Sequence, residues 1–251
     1  MAGKNYQTNY SELYHREIHD GSRKVKAMKT LSVLHDFLSG NLSGLDVLEV
    51  GCFTGEIGFS IAAHFKSYNA IDVDKNAVST AENEKPSRLT NLHFNVMNAE
   101  MLGFSDDRFD IVICSHVYEH VPNSGKMMDE IFRVLKKNGI CYFAAGNRFV
   151  FMEPHHRLPF LSIMPKVFAN SYLKIAKGLF PYYETHMSVF SLRKLVAKFA
   201  VFDYTKKVIA QPEKFNATDM LRQGSAMQFS VYVFVTLFYW LSPTFIWILK
   251  K

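Results

Sequence analysis

Five residues on one strand-to-helix turn and the end of the next apolar run have the types and spacing to hold a nucleotide-like ligand. The stretch DVLEVGCFTGEIG, residues 46–58, begins apolar and then carries Gly51, Gly55 and Gly58. Glycine lets a backbone approach a ligand closely, and a helix N-terminus offers unpaired N–H groups. Glu49 stands two residues before Gly51, and Asp72 stands 21 residues after it, at the end of the next apolar run. A carboxylate in that place can accept both hydroxyls of a ribose. A dinucleotide-binding turn requires G-x-G-x-x-G, whose middle glycine lies against the pyrophosphate. Phe53 fills that position here, which argues against NAD, FAD and a dehydrogenase. A ligand without pyrophosphate tolerates the acid Glu49, which could help to hold a positive charge.

Histidines offer a second chemistry. His155 and His156 lie in EPHHRLPF, residues 153–160, and His186 lies in YYETHMSVF. Imidazole titrates near neutrality, so each of the three is a candidate general base. His116, Glu119 and His120 have the spacing of a metal triad, and His15 and His19 repeat the four-residue step. His15 and His19 read as exposed and idle.

Strands and helices must position these groups. Apolar runs at 44–50, 68–74, 92–100, 108–116 and 140–147 read as strands. Helical patterns lie between them at 56–65, 75–84 and 125–139, the last ending at Gly139. Asp74 suits the helix cap before KNAV better than Asp72 does. One or two helices precede the first strand over residues 10–38, with Leu31, Val33, Leu34 and Phe37 facing inward. Strands alternating with helices predict a parallel sheet covered on both faces.

After Asn147 the rhythm breaks. Residues 149–188 are rich in Pro, Phe and His. The run SLRKLVAKFA predicts a helix, and FDYTKKVIA a strand. Residues 229–249 carry no formal charge over a length that could span a bilayer. Pro243 interrupts that run, so it divides into a helix to about residue 241 and a last strand, TFIWILKK.

Charge follows the same division. Up to Asn147 the chain has 15 Lys and Arg against 18 Asp and Glu; beyond it, 14 against 5. The last 104 residues also hold 21 of the 36 aromatic residues. The first part suits a nucleotide-binding core, and the second a basic, aromatic surface for an acceptor or membrane. No nucleic-acid-binding motif occurs. Cys52, Cys114 and Cys141 lie apart in apolar runs and read as reduced, buried thiols. With the polar N-terminal stretch, which lacks the pattern of a signal peptide, they point to a cytoplasmic protein.

Five blocks, VLEVGCFTGEIG, AIDVDKNAV, NVMNAEMLGF, RFDIVICSHVYEHV and VLKKNGICYFAAGN, resemble in order and spacing the class I S-adenosylmethionine-dependent methyltransferases. The resemblance covers residues 46–147. It implies a Rossmann-like, seven-stranded, mostly parallel sheet with helices on both faces and an antiparallel last strand. It implies S-adenosylmethionine as cofactor. Glu49, Gly51 and Gly55 match the motif that holds the methionine part, and Cys52 lies within that motif. Asp72 matches the ribose-binding acid and Val73 the residue beside the adenine. Asn98 and Ala99 match the pair at the adenine edge, and Ser115 and His116 the strand end beside the sulfonium. The family often has glycine at the place of Phe53 and Asp at that of Asn98. A similar histidine-containing stretch in the family carries no metal, so none is expected at His116–His120.

The expected organisation is a single methyltransferase domain over residues 1–251. N-terminal helices occupy 1–40, the cofactor core 41–147, a substrate cap 148–190, and helices with the final strand hairpin 191–251. The expected reaction moves a methyl group to a small or lipid- or glycan-linked acceptor, at oxygen, and the basic second part suits an anionic one. Peripheral membrane contact is compatible with the tail. The alternative is a non-catalytic binding or scaffold module on the same fold.

Overall fold

The computed structural model describes Tyr6, Thr8, Ser11, residues 22–179 and residues 181–251. His15 and His19, and most of the expected N-terminal helix before Ser22, lie outside the described residues. Helix α1, Ser22–Leu38, precedes a sheet whose first five strands run parallel. These are β1 (Asp46–Val50), β2 (Ser67–Asp72), β3 (Leu92–Val96), β4 (Phe109–Ser115) and β5 (Leu135–Gly146), with α2 (Glu56–Ile61), α3 (Lys75–Glu84) and α4 (Ser124–Val134) between them. A hairpin, β6 (Met152–Glu153) and β7 (Leu158–Pro159), opens the cap, and α5 (Lys166–Lys177) follows. Helix α6 (Val189–Leu195), β8 (Ala200–Asp203), α7 (Thr205–Ala210), α8 (Ala226–Leu237) and β9 (Thr244–Lys250) complete the chain.

The strand order is β3-β2-β1-β4-β5-β9-β8, and β9 alone runs antiparallel to its neighbours. The seven-stranded sheet and its antiparallel final strand are thus as the resemblance implied. Alternate residues of each strand feed two cores. Val112 and Cys114 of β4 join Val50, Phe143 and Trp247 under α4 and α6. Ile111 and Ile113 face the opposite way, with Val47, Ala70 and Ile248 against α1. Cover on both faces is why β4 is apolar almost throughout. The order reverses between β1 and β4, and the carboxyl ends there form the usual ligand crevice.

Several boundaries differ from the sequence pattern: β3 ends at Val96, α2 at Ile61 and α6 at Leu195, and two further differences have a clear cause. Helix α4 stops at Val134, because Leu135 already pairs with Phe109 and opens β5. Gly139 serves a kink inside that strand: an added Cβ would lie 2.8 Å from the Lys136 carbonyl. The run FDYTKKVIA is a strand only to Asp203. The Asp203 carboxylate then accepts the Thr205 N–H, and the Thr205 hydroxyl accepts the Ile246 N–H in place of a ladder bond. Helix α7 starts there. The tail divides as expected, into α8, a 3-10 turn at Tyr239–Leu241 and β9. Among the described residues no helix is long and apolar enough to cross a membrane. All three cysteines are buried free thiols.

Candidate active site

The glycine turn is shaped first by the protein's own packing. Gly51 and Gly55 have φ +74° and +87°, in the left-handed region. A Cβ on Gly51 would lie 2.6 Å from a Val117 methyl; one on Gly55 would lie 2.7 Å from the Phe94 ring. Gly58 faces Leu92, Tyr68 and Glu49. Phe53 also has a positive φ, +51°, which accounts for the glycine that the resembling family often has there. Its ring is buried against Ala77, beneath the Arg23 guanidinium.

A cavity of about 520 Å³ opens at the carboxyl ends of β1, β2 and β4. Of the residues expected at the cofactor, Gly51, Asp72, Val73, Ala99, Ser115 and His116 line it. Asp72 is preorganised: its two carboxylate oxygens accept the N–H groups of Phe53 (2.8 Å) and Asp74 (2.9 Å). Burial pushes its carboxyl above the ordinary range, against the pull of those N–H groups. Asp74 is the cap of α3, accepting from Asn76 and Ala77.

Glu49, Cys52, Gly55 and Asn98 do not line the cavity. The Glu49 carboxylate is buried behind the turn and accepts from the Tyr68 hydroxyl at 2.9 Å. Burial pushes its pKa up to about 8. The Cys52 thiol is buried and directed at the Phe53 carbonyl. The Asn98 side-chain oxygen already accepts from the Tyr6 hydroxyl (2.6 Å) and the Glu100 N–H (2.7 Å). Tyr6 and Arg23 do reach the cavity wall. Sequence reasoning missed both, because no local pattern ties an N-terminal tyrosine or a helix arginine to a turn far along the chain.

The other end of the cavity meets the cap. Met187 N–H donates to the Tyr118 hydroxyl and Thr185 N–H to the Glu119 carbonyl, fixing the segment before α6 beside the loop after β4. His120, His155 and His186 line this end; His156 does not. His156 is buried, with its ring Nε2 3.3 Å from a Glu184 carboxylate oxygen, so the structure turns that expected base away from the cavity. His155 Nδ1 lies 2.8 Å from Glu153 Oε1, and its Nε2 lies 3.2 Å from His120 Nε2. Burial alone would lower the His155 pKa, but the Glu153, Glu184 and Glu119 carboxylates together outweigh it and raise the value to about 9. Burial likewise opposes ionisation of Glu119 and Glu184, yet neighbouring histidines hold both at about 2. This convergence was invisible in the sequence, where its members are scattered from His116 to His186.

Comparison with known proteins bears on this arrangement. Residues 48–143 match the family described as "Methyltransferase domain". The match lies on the half of the sheet that lines the cavity, and covers less than half of the chain. The family's cofactor is S-adenosylmethionine. The chain is 29% identical over 107 residues to a ubiquinone biosynthesis O-methyltransferase of Coxiella burnetii, 43% of this chain and 46% of that one. It is 29% identical over 109 residues to the enzyme of the same name from Pseudomonas fluorescens, 43% and 47% of the two chains. It thus spans about half the length of these relatives. Its fold matches an S-adenosylmethionine-dependent methyltransferase from Mesorhizobium loti (TM-score 0.58, 14% identity, 90% and 100% of the chains). It also matches the [4+2]-cyclase SpnF (TM-score 0.51, 20% identity, 87% and 80%).

Proposed function

We propose that this methyltransferase moves a methyl group from S-adenosylmethionine to an oxygen of a small or lipid-linked acceptor. The continuity of the cavity carries this reading: one space joins Gly51 and Asp72 to His120, His155 and His186. The Asp72 carboxylate faces it with both oxygens already oriented by backbone N–H groups, which fits a ribose diol. Val73, Met97 and Ala99 form an apolar wall suited to adenine. Arg23 offers a guanidinium to the carboxylate of the cofactor's amino-acid end. Ser115 and His116 stand between the two ends. Bound here, the cofactor supplies a methyl group already activated on a sulfonium.

The protein's task is then placement and exclusion of water. His120, His155 and His186 are polar groups at the acceptor end of the cavity. The relatives' names support oxygen as the accepting atom and a ubiquinone precursor as the first acceptor to test. A lipid-linked acceptor also suits the surface. Helix α8 exposes Phe229, Tyr232, Phe234 and Leu237, and α5 exposes Val167, Phe168 and Ile175. Apolar and aromatic side chains of this kind can seat a protein on a membrane surface.

The test is transfer of label from methyl-labelled S-adenosylmethionine to a panel of phenolic and polyprenylated acceptors, read by mass spectrometry. Methylation at oxygen is expected. Tight binding of S-adenosylhomocysteine without transfer to any of them would favour a binding module instead. The SpnF likeness shows that the fold alone does not decide this.

A further inference from the structure

Three side chains of the cap converge on one point. Glu153 comes from the β6 strand, His155 from the β6–β7 turn, and His186 from the segment before α6. Their ligand atoms lie within 4.8 Å of one another. The Glu153 Oε1 atom is 2.8 Å from His155 Nδ1 and 3.3 Å from His186 Nε2. Donors around a tetrahedral zinc-type ion, at about 2.0–2.2 Å from the metal, stand roughly 3.3 Å apart. The spacing found needs only small adjustment to reach that value. The Glu153 and His186 side chains are 0% and 1% exposed, so little water competes for them.

The surroundings supply the outer contacts that metal ligands require. The second Glu153 oxygen accepts the His156 N–H at 2.7 Å, which fixes the carboxylate plane. The far nitrogen of His155 meets His120 Nε2. Gly146 leaves room behind His186: a Cβ there would come within 3.2 Å of its Nδ1. The cluster is also rich in buried negative charge, with Glu119, Glu153 and Glu184 all 0% exposed. A buried charge is costly unless paired or bound to a metal.

We propose that Glu153, His155 and His186 bind one divalent ion of zinc type at the acceptor end of the cavity. Two imidazoles and one carboxylate suit zinc, and three protein ligands leave a position open. His155 and His186 both line the cavity, so that position can receive the acceptor's oxygen. There the ion lowers the pKa of the coordinated hydroxyl, and the proton leaves to solvent. The catalytic part of this proposal rests on methyl transfer to oxygen; the ion-binding part does not.

The test is calorimetric titration of the chelator-treated full chain with Zn²⁺, and with Co²⁺ read by visible absorption. One ion per chain is expected. Glu153→Gln and His186→Ala should each weaken it about a hundredfold or more, while S-adenosylhomocysteine binding persists and shows that the variants are folded. His186→Gln serves if the alanine variant does not fold. Absence of saturable Zn²⁺ binding by the wild-type chain would overturn the site and leave the methyl-transfer reading standing. Zn²⁺ binding lost in Glu119→Gln but kept in Glu153→Gln and His186→Ala would place the ion in the neighbouring Glu119–His120–His155 group, and would equally refute this assignment.

Discussion

Replacing Asp72 separates its two tasks. Its oxygens hold the turn through the Phe53 and Asp74 N–H groups, and in the proposed complex they also accept the ribose hydroxyls. In Asp72→Ala both N–H groups lose their acceptor, at about 1–3 kcal/mol for each one that water cannot reach. The complex additionally loses two charge-assisted hydrogen bonds, about 2–4 kcal/mol in total. That corresponds to a Kd for S-adenosylhomocysteine raised roughly 30- to 700-fold. Asp72→Asn keeps the shape and one acceptor oxygen, so its loss should fall near the lower end. Acidity gives a second handle. Because burial raises the Asp72 pKa, affinity in the wild type should fall on acidification before pH reaches the ordinary carboxylate range; in Asp72→Asn that dependence should vanish. Calorimetry measures affinity, and thermal melting of the same samples measures stability. A folded Asp72→Ala variant with wild-type affinity would refute the ribose assignment.

Glu49→Gln should stabilise the protein at alkaline pH. The folded-state pKa of about 8 lies above the ordinary 4.5, so the folded state binds more protons between those values and wild-type stability falls as pH rises through them; the glutamine variant should lack that slope in melting scans from pH 5 to 9. Gly51→Ala should cost about 2–4 kcal/mol, from its positive φ and its clash with Val117. Adding Val117→Ala should relieve only the clash; if S-adenosylhomocysteine affinity returns in full with that relief, close approach of ligand to Gly51 is excluded.

The sheet was legible because its signals are local. Apolar runs bounded by turns, a carboxylate cap at Asp74 and a proline-split tail each act within a few residues, and the structure has a strand in each such run, the cap and the split tail. The end of α4 was misread because strand pairing at Leu135 overrides the helical pattern that continues to Gly139. FDYTKKVIA was misread because one hydroxyl, on Thr205, ends the ladder. In the site, Gly51, Asp72, Val73, Ala99, Ser115 and His116 line the cavity, since their register follows from the fold, whereas Glu49, Cys52, Gly55 and Asn98 do not. Tyr6, Arg23 and the convergence of His120 with His155 were not legible, since only tertiary packing brings them together. The glycine pattern was read as room for a ligand, but Val117 and Phe94 account for Gly51 and Gly55 without one.

The charge asymmetry changes meaning once burial is known. Beyond Asn147 there are five acids, and two of them, Glu153 and Glu184, are 0% exposed inside the histidine cluster. The outer surface of that half is therefore more positive than the sequence count suggests, while the wall behind the acceptor end is negative. An acceptor with an anionic group meets two different environments. Inside, buried carboxylates disfavour an anion beside the reacting oxygen unless a cation stands between them. Outside, Lys and Arg attract it at long range. Under the proposed function, the arrangement would favour an acceptor whose reacting end is neutral and slender enough for the cavity and whose anionic portion stays at the surface. On that reading a lipid headgroup would be methylated in preference to a small soluble acid, and a labelled-cofactor competition between the two would decide it.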